Sequence, residues 1–534
     1  MDMKHWMIGS VAAAALMAAC GGGSEGGDDT EVTVTETQVG GDVLLPGLTL
    51  RSGDAAEAAD ALAAFSLTEG APGRLGFGSV ATDGANATFS DVTFMVPDDE
   101  DGDVPITAAS LELVGLEMTD AGPSFSQMTL SDISASDPDG EEGELNVGSL
   151  QLTNPSPELA AWVATLLGDG EPGDFPDAGQ VSFDGLSLAN LTASGGDEDG
   201  NGQITIGSID MRGMGPDKLQ AAVFEGLTLN ATDLEEGMDV AMELGSFQVS
   251  GAGVNLANSL LAASDEDEFL EAVTAATQQN PLEPGYDALS MSDLTFDVGG
   301  VNFDMPSLEA TVSRNADGKA IGTSTKPFVM TLVADPNGPL GSQLAGPLQQ
   351  MGFDKLELSG ASESEIDPDT DRVSSSGYAE LADGFRLAMD YDLNGIGSFA
   401  QAVNSPEVQD AVASDPSALL GAMSSLALND MELVFEDQSI LDKGFQFAAA
   451  MTGEDADSLK GQAQLGVGFL PLMGAQAGID AEILTELSGA LSSFLAEPGT
   501  LTLTFDPETP VTADMFQDPT QITKASLGFS ASAE

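Results

Sequence analysis

Between about residues 90 and 310 the chain alternates apolar and polar positions in short arms separated by acidic turns. The outgoing arms read Ser90-Asp91-Val92-Thr93-Phe94, Ser126-Gln127-Met128-Thr129-Leu130, Asp184-Gly185-Leu186-Ser187-Leu188, Glu225-Gly226-Leu227-Thr228-Leu229 and Ser292-Asp293-Leu294-Thr295-Phe296. Period 2 marks a half-buried strand. The return arms include Ser110-Leu111-Glu112-Leu113, Ser149-Leu150-Gln151-Leu152, Ser208-Ile209-Asp210-Met211, Ser246-Phe247-Gln248-Val249 and Ser307-Leu308-Glu309-Ala310, each preceded by a further apolar pair. In every return arm two residues separate the apolar pairs, so apolar parity flips at a small residue followed by Ser. A slipped parity would turn the apolar set to solvent, which predicts a β-bulge or sharp bend at Ser110, Ser149, Ser208, Ser246 and Ser307.

Successive Ser spacings are 39, 59, 38 and 61 residues, so the units come in pairs with a larger period of 98 to 99. The longer intervals hold Ala- and Leu-rich helical segments at 157–167 and 254–278, and a third at 54–65 stands one period earlier. Ser156-Pro157-Glu158 and Ser264-Asp265-Glu266 supply capping and early-turn residues. From about Arg314 the pattern loosens. Strand-like stretches follow at 328–333, 355–359, 378–391, 431–435, 444–449, 461–467 and 501–505, with helical segments at 340–351, 406–426 and 481–495. The expected fold is mainly β with added helices, an elongated stack of repeated antiparallel hairpins with helices on one face. Its parts are a signal segment at 1–19, a Gly-rich acidic linker at 20–50, the repeats at 51–313 and a divergent β-rich α+β region at 314–534.

The first residues carry charge at Lys4, an apolar run over 7–19 and small residues before Cys20, the order of a secretory signal. That run is 13 residues, shorter than the ~20 a membrane-crossing helix needs. Leu16-Met17-Ala18-Ala19-Cys20 resembles the lipobox of bacterial lipoproteins, with Met17 where that family prefers Leu. The resemblance implies that Cys20 is acylated and becomes the mature N-terminus, tethered through Gly21 to Asp29. Gly21 after the Cys resembles outer-membrane sorting. The other reading is cleavage at Ala13-Ala14-Ala15, which leaves Cys20 a free thiol.

Charge narrows the partners. With 88 Asp plus Glu against 14 Lys plus Arg, the formal charge is −74, so nucleic acid is not an expected partner. The single His and single Cys both fall within the first 20 residues. The mature chain therefore has no imidazole base and no Ser-His-Asp or Cys-His site, and with Cys20 acylated it has no disulfide or thiol nucleophile either. Paired carboxylates could in principle cleave glycosides, but one Trp (Trp162) and three Tyr after the signal offer few aromatic platforms. The expectation is a non-enzymatic protein that requires no cofactor.

One turn invites a cation. Asp197, Asp199 and Asn201 stand at positions 1, 3 and 5 of an EF-hand-type calcium loop, with Gly202 at 6 and Ile204 at 8. Position 12 is Ser208 instead of the bidentate Glu, and a strand follows. Asp, Asn and Gly are also what tight turns favour, and acidic turns keep sheet edges apart, so a solvated acidic rim and a calcium site both stand. A tethered chain of repeated hairpins with helices resembles the AsmA-like, repeating β-groove class of Gram-negative envelope proteins. That resemblance implies lipid handling or envelope biogenesis. The expected function is a membrane-tethered outer-membrane lipoprotein that binds an apolar or lipid ligand, or an envelope protein, along a β-surface. The alternative is a surface-exposed calcium-dependent adhesion or scaffold protein.

Overall fold

The computed structural model describes residues 45, 47–69, 75–96, 104–136, 143–168, 176, 180–197, 200–215, 218–234, 238–253, 282, 284–403, 408, 421, 423–476, 479–512, 515 and 521–534. Two compact units divide the chain: Met1–Val273 with Gly285–Leu294, and Thr274–Pro284 with Thr295–Glu534. The fold is mainly β with added helices, and its strands pair antiparallel throughout.

In the first unit, α1 (Ala58–Ala64) precedes β1 (Leu75–Gly76), β2 (Ser79–Asp83), β3 (Asn86–Val96), β4 (Val104–Val114), the small hairpin β5 (Glu117–Thr119) and β6 (Gly122–Ser124), β7 (Gln127–Ser136) and β8 (Glu144–Thr153). Helix α2 (Pro157–Leu167) then precedes β9 (Phe183–Asp197), β10 (Gly200–Met214), β11 (Lys218–Leu234) and β12 (Met238–Gly253). A helix followed by four long strands is thus the structural form of the 98-residue period. Each long strand pairs with the next from β3–β4 and β4–β7 to β11–β12. Pro157 opens α2, and the Ser156 hydroxyl accepts from the Leu159 N–H at 3.3 Å. Leu159, Ala160, Val163 and Leu167 of α2, with Ala61, Leu62 and Phe65 beside α1, join Phe89, Leu111, Leu150, Leu188 and Met211 of the strands in one core. Both helices therefore cover the apolar side of the strands. On the opposite side Leu45 packs with Ala221 and Val223.

Strand β13 (Ala288–Val298) begins in the first unit and ends in the second. The second unit continues with β14 (Val301–Arg314), β15 (Ala320–Ala334), α3 (Gly341–Gln350), β16 (Leu356–Asp367), β17 (Arg372–Leu381), β18 (Phe385–Asn394), α4 (Ile396–Val403), β19 (Ala427–Asp437), α5 (Ile440–Thr452), α6 (Ala456–Gly468), α7 (Leu470–Gln476), α8 (Ala481–Ala496), β20 (Thr500–Phe505), β21 (Val511–Thr512), α9 (Lys524–Leu527) and β22 (Phe529–Ala533). A meander from β14 to β20 is completed by β20–β22. Among its buried apolar residues are three small clusters around Ile366, Phe529 and Phe494.

Two stretches expected as strands, 444–449 and 461–467, are helical, within α5 and α6. Their alternation runs over Gly444, Gly461 and Gly466, which have no side chain to mark a face. Ala448 to Ala450, the scarcity of β-branched residues and the Asp455 cap accepting from the Ser458 N–H at 3.3 Å favour helix instead. The helices expected at 254–278 and across most of 406–426 lie outside the described residues.

Candidate functional site

The parity change expected in the return arms occurs, but it is not a bulge in one strand. Ser90 pairs with Ser110 and Val92 with Ala108, so β3 and β4 keep one register across the step. The residue between on β3, Asp91, has φ +55°, opposite the small Ala109. The same step recurs at Asp132 (φ +50°) between Gly148 and Ala109, at Asn190 (φ +54°) beside Gly148 and Gly207, and at Gly226 (φ +65°) beside Gly207 and Gly245. Asp293 (φ +53°) continues the row next to Gly245, where the Ser246 and Ser292 hydroxyls meet at 3.0 Å. A left-handed residue turns the pleat, so the apolar set that would pass to the far face stays on the near one. Asp, Asn and Gly pay least for this conformation. Small partners are required because the left-handed side chain lies over them: a Cβ on Gly245 would stand 2.9 Å from the Asp293 Cβ.

A second row lies six residues along each strand, at Gly115, Ser126, Asn154, Asp184, Gly213, Gln220 and Gly251. Gly115, Asn154, Gly213 and Gly251 have φ between +47° and +69°. The row is fastened by Asn154 Nδ2 donating to Asp184 Oδ2 at 2.6 Å and by the Asn154 N–H donating to the Ser126 carbonyl at 2.6 Å. These two seams correct the outgoing arms: Ser126-Gln127 and Asp184-Gly185 stand on the second seam, whereas Ser90-Asp91, Glu225-Gly226 and Ser292-Asp293 stand on the first. The seam at Ser307 is different. Pairing of β14 with β15 stops after Asp304–Thr331 and resumes at Ala310–Thr325, with Pro306 between.

Beyond the first seam the apolar side continues in two rows. One runs Val92, Ala108, Ile133, Val147, Leu191, Ile206, Leu227, Leu244, and the other Phe94, Ile106, Ala135, Leu145, Ala193, Ile204, Leu229, Met242. On β3 to β8 Val92, Ala108, Ala135 and Val147 are buried; on β9 to β12 all eight residues are only half-buried. Four strands at a spacing of about 4.8 Å give this strip a width of roughly 14 Å between its outer strands. This strip is the candidate binding surface. It contains no titratable group, so what it offers a ligand is apolar area.

Of the residues expected to hold calcium, Asp197 ends β9 with its Cα opposite that of Gly200, and Asn201 is exposed on β10 opposite Gly196. Asp199 lies outside the described residues, as do Cys20, with its lipobox, and most of the acidic turns. Positions 6 to 12 of the loop frame, Gly202 to Ser208, run inside β10, paired with β9 on one side and β11 on the other. The backbone therefore continues as a strand where an EF-hand loop would wrap its ion. Among the described residues no three His, Cys, Asp or Glu side chains converge on a metal position.

The second unit holds a polar cluster that the sequence pattern does not announce. Arg372 Nε donates to both Asp392 oxygens at 2.9 and 3.0 Å, and its Nη2 also bonds Asp392. Asn429 Nδ2 donates to Asp392 Oδ1 and to Asn394 Oδ1, both at 2.7 Å. The Arg372 hydrogen bond and the Asn429 amide hold the buried Asp392 carboxyl below the usual carboxylate range. Opposite it in the ladder, Asp430 is pushed above that range by desolvation, then by the charges of Asp392 and Asp506. Asp392 is engaged from both sides, so the cluster fastens β17, β18 and β19 together.

A family model described only as an uncharacterized protein matches residues 378–534. No curated protein matches the chain.

Proposed function

We propose that the protein is a non-enzymatic envelope lipoprotein, tethered to the outer membrane through acylated Cys20, that binds an acyl-chain-bearing ligand along the sheet of its first unit. The observation that carries this reading is the half-buried double row on β9 to β12: Leu191, Ala193, Ile204, Ile206, Leu227, Leu229, Met242 and Leu244. The same rows on β3 to β8 are more deeply buried, so the apolar side outruns the cover that α1 and α2 give it. Partly exposed apolar side chains in a contiguous patch mark a binding surface. The rows cross the strands, so an extended acyl chain laid along either row meets an apolar side chain at each strand. The absence of ionisable groups from the strip suits a tail and leaves any headgroup outside it.

The test is lipid extraction from the full chain purified from membranes, read by mass spectrometry of non-covalent lipid. The expected result is about one lipid per wild-type chain and at least tenfold less in the Ile204→Gln, Leu229→Gln double variant with an unchanged circular dichroism melt. Equal lipid in both, or none in wild type, overturns the ligand reading. The tether is read separately: labelled palmitate should enter wild type and not Cys20→Ala, and equal labelling of the two overturns it.

A further inference from the structure

The most exposed large apolar side chains among the described residues lie in the helices of the second unit: Met451 at 72%, Leu465 at 68%, Leu472 at 62% and Phe469 at 58%. Leu465, Phe469 and Leu472 follow one another across the turn at Phe469 that joins α6 to α7, and all three are exposed. The other side of this segment is already used. Helices α6 and α7 pack on α8, and a Cβ on Gly474 would stand 2.4 Å from a Leu484 methyl. A Cβ on Gly461, Gly466 or Gly468 would meet nothing within 4 Å. In α7 the glycine is the residue set against the neighbouring helix, while Leu472 beside it and Leu465 and Phe469 before it are exposed.

Charge identifies what this face fits. No charged residue stands between Lys460 and Asp480, a run of 19 residues in a chain that is 19% charged. A basic protein would seek carboxylates, which this run lacks. A second copy would bring its own −74 to the contact, and anionic lipid would be repelled by the body around the patch. An uncharged apolar face suits a surface that is apolar beneath a zwitterionic layer. No helix among the described residues is long and apolar enough to cross a membrane, and Pro471 with Gly466 and Gly468 interrupts this one. We propose that Leu465, Phe469 and Leu472 insert into the interface of a zwitterionic bilayer, a second membrane contact independent of the strip on β9 to β12 and of Cys20.

The experiment uses the full chain carrying Cys20→Ala and a single new thiol, Phe469→Cys or, as control on the exposed turn after β15, Asn337→Cys, each labelled with an environment-sensitive fluorophore. With phosphatidylcholine vesicles containing doxyl-labelled acyl chains, quenching at position 469 should exceed that at 337 at least twofold. A label at Leu465→Cys should behave like the one at 469 and lose its quenching in the Phe469→Asp, Leu472→Asp background. Replacing a third of the lipid by phosphatidylglycerol at low salt should weaken the effect. Equal quenching at 469 and 337, or stronger quenching with the anionic lipid, overturns the proposal. A blue shift without vesicles also overturns it. If that shift depends on protein concentration the occupant is a second copy, and if it does not, a segment of the same chain.

Discussion

The two units solve the problem of a repeated antiparallel ladder differently. In the first, left-handed residues sit inside the strands, at Asp91, Asp132, Asn190, Gly226 and Asp293, and register is kept across them. In the second, Asp371 and Asp383 take the same conformation in the turns between strands. The irregularity inside its strands is a true one-residue shift: Thr325 pairs with Ser362, but Phe328 with Gly360. The core follows suit. The largest buried cluster of the first unit holds 35 residues, with a second of three at Leu45, Ala221 and Val223, whereas those of the second unit hold 4, 4 and 3. Turning the pleat in every second strand at one register keeps the residues of the large cluster on the side that α1 and α2 cover. The meander of the second unit, with register shifts in three of its pairings, has only small separate clusters.

Phe89→Ala should strike hardest at this difference. Its ring is fully buried in the large cluster and stacks edge-on to Phe77 at 5.0 Å, so the loss should be about 3–5 kcal/mol. Trp162, the only tryptophan after residue 19, packs on that core, so urea unfolding followed by its fluorescence reports the first unit. An unchanged midpoint would show the cluster is not a cooperative core.

The next test bears on the seam itself. Asn190→Val should cost about 1–2 kcal/mol, the penalty for a branched side chain in the left-handed region, whereas Asn190→Gly should be close to neutral. Equal effects of Val and Gly in the same assay would show that conformation at the seam is not what the residue supplies.

In the second unit, Asp392→Asn should cost about 1–2 kcal/mol at neutral pH, because it removes the charged acceptor of Arg372. The folded-state value of Asp392 is lowered, so its contribution is present above the unfolded value of about 3.9 and is lost as pH falls through the folded one. The gap between wild type and variant should close in acid. Asp430 has the opposite sign: its folded value is raised, so its contribution is present at low pH and is lost as pH rises through that value. Asp430→Asn should therefore stabilise slightly at neutral pH, and a destabilisation would show that Asp430 has a partner that outweighs its acidic neighbours.

The smallest effect is expected from cations. With Gly202 to Ser208 paired in β10, the later ligand positions of the loop frame are taken up by the ladder. Millimolar calcium and magnesium should raise the melting temperature alike, through screening. A calcium-specific rise abolished by Asp199→Asn would restore the calcium reading.

The small-Ser pairs were legible because they leave a parity error in the sequence that only a change of pleat can repair. Their partners were also written there, as Phe89-Ser90-Asp91-Val92, Leu130-Ser131-Asp132-Ile133 and Leu188-Ala189-Asn190-Leu191. They were misaligned because both seams read as a polar residue, then Asp, Gly or Gln, then an apolar arm. Helix α2 was plain from its Ser-Pro-Glu start, while α5 and α6 were hidden by glycine alternation. The strip on β9 to β12 could not be found by pattern at all. Leu191 and Val147 occupy the same row with the same chemistry, and only the packing around them decides which is covered. The Arg372–Asp392 cluster joins residues 20 apart in sequence through the hairpin register, which no local motif records.

Alternating apolar segments are also what fibrils are made of, and six or seven flat residues suffice for a dry zipper between stacked chains. In β9 to β12 the most buried part of each strand lies between the two seams, for example Ser208 to Arg212 or Ser246 to Ser250. Each such run is five residues long, and in β9, β10 and β12 it is closed at both ends by Gly, Asp or Asn. A chain that unfolds locally therefore exposes its stickiest segments in pieces too short, and too interrupted, to template one another.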